Sequence, residues 1–243
     1  LALNYIPQPE TAFEGIKQLP PGHRALISAK GIEIKPFWDL SKIRPDNNMD
    51  RSEGISHILK LLDDSTRIRM RSDAPFGAFL SGGLDSSAVV GFMSLYKPEP
   101  IRTYSVGFMN PDFDESQYAK QVSHRFGTQH KIQIMDQDIE TLWPHFIWHA
   151  DQPHGDVSFI PTGVLAKMAS QDVKMVLTGD GGDELFAGYE KYLNFFSGLN
   201  LEKLNHKWED EFVRSCGLLH YDEPLLLLKG RLREAFLDSD PYR

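Results

Sequence analysis

The chain has 243 residues, of which 41% are hydrophobic and 25% charged. That length and balance suit a globular protein with a substantial core, either one large domain or one domain carrying pieces of another. The formal net charge of -8 excludes a general nucleic-acid or acidic-membrane surface, the single Cys216 excludes an internal disulfide, and no apolar run approaches a membrane span. With no basic-then-apolar leader, the expected compartment is the cytoplasm. The first residue is Leu1 rather than Met, which reads as a piece of a longer polypeptide.

Residues 1–40 are punctuated by Pro7, Pro9, Pro20, Pro21 and Pro36 and by Gly15, Gly22 and Gly31. The short apolar pieces 25–27 and 32–34 flank a turn, so a small hairpin is expected here rather than a free-standing domain. From Ser52, a plausible N-cap, the spacing of Ile55, Ile58, Leu59, Leu62 and Thr66 predicts one apolar face of a helix. Arg67, Arg69 and Arg71 follow. They read as a solvated helix end beside the negative pole of the macrodipole in preference to a phosphate clamp.

Residues 74–80 are apolar and predict a buried strand, and an apolar helical pattern restarts at residues 88–93. Between them stand Ser81, Gly82, Gly83, Leu84, Asp85, Ser86 and Ser87. Gly82 and Gly83 let the backbone turn tightly and bring several N–H groups to one anion, the serines add hydroxyl donors, and the following helix aims its positive end at the same point. A phosphate would bind there. The Gly-x-x-x-x-Gly-Lys-[Ser/Thr] and Gly-x-Gly-x-x-Gly patterns are both absent, which disfavours γ-phosphoryl transfer and dinucleotide binding. Asp85 would repel a bare polyphosphate and makes sense as a Mg²⁺ ligand. Taken alone, the stretch also reads as an ordinary Gly-Ser turn.

Further along, residues 101–108 predict a second strand, 115–126 a helix with Tyr118, Ala119, Val122 and Phe126 on one side, and 129–135 a third strand. Residues 161–170 predict a helix entered through Pro161, and 173–178 a fourth strand. Strands and helices alternating in this way predict an α/β fold, a parallel twisted sheet with helices on both faces. Ligands then belong at the strands' carboxyl ends. Leu80 closes the first strand. Val106, Gly107 and Phe108 close the second, where backbone groups can pair with an adenine edge; core packing is the competing account of Val106.

The fourth strand runs into Thr178, Gly179, Asp180, Gly181, Gly182, Asp183 and Glu184. Its glycines allow the backbone close to a ligand, and Asp183 could share Mg²⁺ with Asp85 if the two loops face each other across strand ends. An acidic helix N-terminus is the competing account. His145 and His149 are spaced i, i+4, but the glutamate of His-Glu-x-x-His is missing, so core or surface histidines are the preferred reading. Beyond Tyr192 the chain becomes helical and polar, amphipathic at 201–212 and Leu-rich at 224–236.

With both loops placed, the chain resembles the synthetase domain of the glutamine-dependent asparagine synthetase family, within the pyrophosphate-loop ATP hydrolases. The pattern Ser-Gly-Gly-x-Asp-Ser stands at residues 81–86, and the resemblance extends through residues 104–108, 114–116, 126–130, 151–153, 160–162 and 177–189. It implies an adenine nucleotide alpha hydrolase-like fold, with residues 1–40 a remnant of a glutaminase domain and linker, 41–195 the ATP-pyrophosphatase domain, and 196–243 part of a helical extension. It further implies adenylation of an aspartate side chain by ATP, release of pyrophosphate, and displacement of AMP by ammonia. Leu80, Val106, Gly107, Thr178 and Gly179 would hold ATP largely through backbone, and Ser81, Gly82, Gly83, Ser86 and Ser87 the pyrophosphate. Asp85 and Asp183 would hold Mg²⁺, Asp180 would lie near the reacting carboxylate, and Tyr189 would line the acceptor pocket.

By the same resemblance, ammonia would come from a glutaminase domain of the parent chain whose amino-terminal cysteine is not among these residues, so this chain is expected not to hydrolyse glutamine. A helical section carrying a lysine that assists adenylation is also not among them. A homo-oligomer is compatible with everything above. The competing readings are a lactam-forming or peptide-modifying relative with the same ATP site and a non-catalytic nucleotide-binding module. A sulfur-transfer or tRNA-modifying branch ranks last, because it would call for basic surface and more cysteines.

Overall fold

The computed structural model describes residues 4–46, 48–136, 139–197, 199, 208–216, 229–231 and 233–234. The chain divides into two compact units. One comprises Asn48–Phe146 and Val157–Tyr192; the other comprises Leu1–Asn47, Ile147–Asp156 and Leu193–Arg243.

The first unit is built on a four-stranded sheet. Its strands are β3 (Phe76–Phe79), β4 (Arg102–Phe108), β5 (Gln129–Met135) and β6 (Met175–Leu177), arranged in the order β5-β4-β3-β6 and all parallel. Helices α1 (Arg51–Arg69), α2 (Leu84–Tyr96), α3 (Ser116–Phe126), α4 (Ile139–Ala150) and α5 (Phe159–Ala169) lie between and before the strands. From β3 the chain steps outward to β4 and then β5, and returns to pair β6 on the other side of β3. Strand order therefore reverses at β3, and a crevice opens at its carboxyl end.

Strand alternation puts helices on both faces, as expected. Ala78 and Leu80 pack with Val90 and Met93 of α2 and Ala119 of α3, while the intervening Phe79 joins Tyr104 and Val176 against Leu165, Met168 and Ala169 of α5. Val106 and Met135 extend that second face onto Phe146, Ile160 and Val164 of α4 and α5. Ile160 is fully buried, so Ile160→Ala is expected to cost about 3 kcal/mol, read as a lowered midpoint of urea unfolding with an unchanged slope.

Several boundaries differ from the sequence reading. The strands are shorter, at Phe76–Phe79 for 74–80 and Met175–Leu177 for 173–178. The α1 cap is Asp50 rather than Ser52, its carboxylate accepting from the amides of Ser52 and Glu53 at 2.7 and 2.9 Å. α5 begins two residues before Pro161, which sits in the first turn, where a missing N–H leaves no intrahelical bond unmade. Arg67 pairs with Asp64 and Arg69 with Ser65 on the exposed side of α1, which matches a solvated helix end.

In the second unit, β1 (His23–Ser28) and β2 (Gly31–Pro36) form the expected antiparallel hairpin. Phe195 and Phe196 of α7 (Glu190–Ser197) make ring contacts with Trp208 and Phe212 of α8 (Trp208–Ser215). The amphipathic reading at 201–212 falls within the described residues only from Trp208, and the Leu-rich reading at 224–236 lies mostly outside them. Among the described residues, no helix is long and apolar enough to cross a membrane.

Candidate active site

The end of β3 leads into a loop that is ordered by its own serines. The Leu80 amide still bonds the Tyr104 carbonyl at 2.9 Å, so Leu80 marks the last paired position of the strand. Gly82 then turns the chain with φ +91°, and a Cβ there would lie 2.5 Å from the backbone of Tyr118 and Ala119. Any side chain at 82 would therefore lift the loop off α3. The Gly83 amide donates to Ser81 Oγ at 3.1 Å, and Ser81 Oγ lies 3.0 Å from Ser86 Oγ. Gly83 is the N-cap of α2 and makes no side-chain cap. Asp85 and Ser86 thus lie in the first turn, where helix amides have no intrahelical partner and the dipole favours an anion, while the Ser87 amide already donates to the Gly83 carbonyl at 3.1 Å. Ser87 Oγ is buried and has no hydrogen-bond partner.

The second loop leaves β6 and runs into a short helix, α6 (Gly182–Phe186), with Asp183 and Glu184 in its first turn. Thr178 Oγ1 donates to Asp180 Oδ2 at 2.9 Å, fixing that carboxylate beside the strand end. The two loops meet directly. A Cβ on Gly179 would fall 2.7 Å from the Ser86 amide nitrogen and 3.0 Å from Asp85, and one on Gly182 would collide with the Asp85 carboxylate. Asp85 therefore rests against the residue that precedes Asp183.

These residues surround a single cleft of about 870 Å³ at the carboxyl ends of the strands. Leu80, Ser81, Gly83, Asp85, Ser86, Val106, Thr178, Gly179, Asp180, Asp183 and Tyr189 all line it. Gly82, Ser87 and Gly107 are not part of the lining. Gly82 packs on α3, and Gly107 faces the other way, close enough that a Cβ would meet Ile134 at 2.6 Å and Asp114 at 3.0 Å. Val106 lines the cleft and also packs on the core of α4 and α5.

The wall also includes Ser105, Phe113, Thr162, Glu184 and Phe186, which sequence reasoning did not single out. Glu184 was visible as the third acid of its loop; Phe113 and Thr162 carry no local signal. His145 lies outside this cleft, edge-on to Phe146 with centroids 5.2 Å apart. Among the described residues, no group of three or more His, Cys, Asp or Glu side chains is arranged to hold a metal.

At the cleft mouth, Tyr189 donates its hydroxyl to Glu184 Oε1 at 2.7 Å. That bond holds the Glu184 carboxyl below its usual range and, together with desolvation, pushes the Tyr189 phenol up to about 12. The lowered Glu184 pKa means a tie present above the ordinary carboxyl value and lost as pH falls through the depressed one. In Tyr189→Phe the Glu184 carboxyl is expected to titrate higher than in the wild type, since the largest cause of its lowering is removed, measured by carbon-13 NMR of the side-chain carboxyls.

The fold and cleft define a parallel α/β protein with a glycine-rich cleft where strand order reverses. Residues 57–236 match the asparagine synthase family model, and the chain belongs to the asparagine synthase family. It is 40% identical over 252 aligned positions to a putative glutamine-hydrolyzing asparagine synthetase 2 of Methanocaldococcus jannaschii, covering 99% of this chain and 47% of that protein. Glutamine-hydrolyzing asparagine synthetase 1 of Bacillus subtilis is 31% identical, with 79% of this chain and 30% of the relative aligned. The amidase chyE of Penicillium rubens is 30% identical, with 82% and 32% aligned. The chain thus spans about half or less of the length of these relatives.

Proposed function

We propose that this chain carries the ATP-dependent, amide-forming half of an asparagine synthetase. ATP lies in the cleft with its adenine toward Leu80 and Val106 and its phosphates on the loop at residues 81–87. A side-chain carboxylate oxygen of aspartate attacks the α-phosphorus, pyrophosphate departs, and the mixed anhydride with AMP is opened by ammonia to give the amide. The observation that carries this reading is the meeting of the Ser81 and Thr178 loops around one cleft, in a chain of this family. Leaving-group stabilisation and alignment of carboxylate with phosphorus supply most of the acceleration in such a reaction.

The α2 first turn, entered at Gly83, with the Ser86 amide and the Ser81 hydroxyl, is the pyrophosphate cradle. Ser87 Oγ, buried without a partner, offers a donor on the same turn. Asp85 and Asp183, one carboxylate per loop, fit Mg²⁺, which keeps water and phosphate oxygens in its other positions. When bound, Mg²⁺ would neutralise charge on the departing pyrophosphate. Asp180, steadied by Thr178, lies near the reacting carboxylate, and Tyr189 lines the acceptor end. Residues 41–195 constitute the ATP-pyrophosphatase domain, 1–40 the remnant of a glutaminase domain and linker, and 196–243 part of a helical extension. Ammonia is supplied from glutamine by the glutaminase domain of the parent chain.

The test is exchange of labelled pyrophosphate into ATP. Exchange that depends on aspartate supports this function, and ATP binding without exchange for any carboxylic acid favours a nucleotide-binding module. In the alternative, a lactam-forming or peptide-modifying relative with the same ATP site, a different carboxylic acid would support the exchange in place of aspartate.

A further inference from the structure

Behind the cleft wall, β4, β5 and α3 enclose a chain of hydroxyls ending on an imidazole. Strand register sets His130 beside Thr103. His130 Nδ1 lies 2.9 Å from Thr103 Oγ1, and Nε2 lies 3.1 Å from Ser105 Oγ. Thr103 Oγ1 is in turn 2.7 Å from Thr128 Oγ1, which donates to Ser123 Oγ at 2.9 Å, and Ser123 Oγ donates to the Thr128 carbonyl at 3.5 Å. Thr103, Ser105 and Ser123 are 0%, 3% and 8% exposed, while Thr128 and His130 are half-buried, so the protons are shared out chiefly among these groups.

Each hydroxyl has one proton to give, and that fixes the direction of every bond. Thr128 has given its proton to Ser123, so Thr103 must donate to Thr128. Thr103 can then only accept from His130, which places a proton on Nδ1. A neutral ring protonated at Nδ1 has a bare Nε2, and the Ser105 hydroxyl must donate to it. Burial holds the His130 imidazole below its ordinary range, and Lys120 of α3 acts in the same direction, so the ring is neutral at neutral pH. Ser105, which lines the cleft, is left with only lone pairs to offer a ligand.

We infer that Ser105 is an acceptor-only specificity residue for an N–H or O–H donor of the bound nucleoside, and that His130 is the positioning residue imposing this polarity. The inference rests on the nucleotide reading above. Phosphate and carboxylate oxygens, which are acceptors, are turned away from this part of the wall. The donors a purine nucleotide brings are the 6-amino group and the ribose hydroxyls. They share one chemistry and are separable by analogue.

Binding of ATP, purine riboside triphosphate, 2′-deoxy-ATP and 3′-deoxy-ATP is to be compared by calorimetry for the wild-type chain, Ser105→Ala and Ser105→Thr. One analogue is expected to bind the wild type about five- to tenfold more weakly than ATP, and that gap is expected to vanish in Ser105→Ala and to persist in Ser105→Thr. A gap unchanged in Ser105→Ala overturns the role of Ser105. On the unliganded wild type, nitrogen-15 NMR of the histidine rings is expected to show His130 neutral with its proton on Nδ1; a proton on Nε2 overturns the positioning role. A wild-type chain that binds no nucleotide overturns the proposed function instead, while the ring spectrum still decides the order of protons.

Discussion

Asp85→Asn is expected to lower aspartate-dependent pyrophosphate exchange by about a hundredfold or more while leaving the unfolding midpoint almost unchanged. The substitution keeps the size of the side chain in the first turn of α2 and removes only its charge. The carboxylate lies against Gly182, next to Asp183, so its loss takes away half of the proposed magnesium ligand set. The defect is expected to appear as a much higher magnesium requirement, followed by titrating the metal at saturating ATP. An asparagine variant with wild-type exchange and wild-type metal dependence would remove Asp85 from the reaction altogether.

The second large effect is expected at Gly179. A valine there places Cβ 2.7 Å from the Ser86 amide nitrogen and 3.0 Å from the Asp85 backbone carbon, and both obstacles are main chain that a rotamer change cannot clear. Either β6 moves outward or the α2 first turn is displaced. ATP binding is expected to fall below detection by calorimetry, with a stability loss of about 1–3 kcal/mol from overpacking. Gly181→Ala provides the comparison, since a Cβ at 181 meets nothing within 4 Å although φ there is +92°. It is expected to cost strain yet retain binding. Equal binding by the two variants would mean that the contact between the loops is unimportant for the ligand.

The parts of the fold that were legible in the sequence are those written in local periodicity. The hairpin pieces at 25–27 and 32–34 pair as anticipated, and β5 occupies 129–135 as predicted, because alternation and turn residues are both short-range signals. α4 was not anticipated, since Pro144 stands inside it and interrupts the pattern that announces a helix. Ser52 was read as the α1 cap, but the Asp50 carboxylate takes that place; both residue types suit the position, and only geometry shows which one reaches the free amides.

For the site, the glycine-rich stretches at 81–87 and 178–184 carried their own signal. Gly107 and Gly82 looked equally suited to a ligand, yet their bare α-carbons are used against Ile134 and α3. Which side a strand-end glycine faces is decided by sheet register and by what packs there. The Ser105–His130 pair was hidden for the same reason, since 25 residues separate the two in the chain and only the pairing of β4 with β5 makes them neighbours.

Gly83, as the N-cap of α2, has no side chain of its own to reach the amides that follow it, and Ser81 Oγ takes only the Gly83 amide. Under the proposed function, an anion held at this turn would supply partners that the chain itself does not. The turn is then expected to be more ordered with ligand bound than without it.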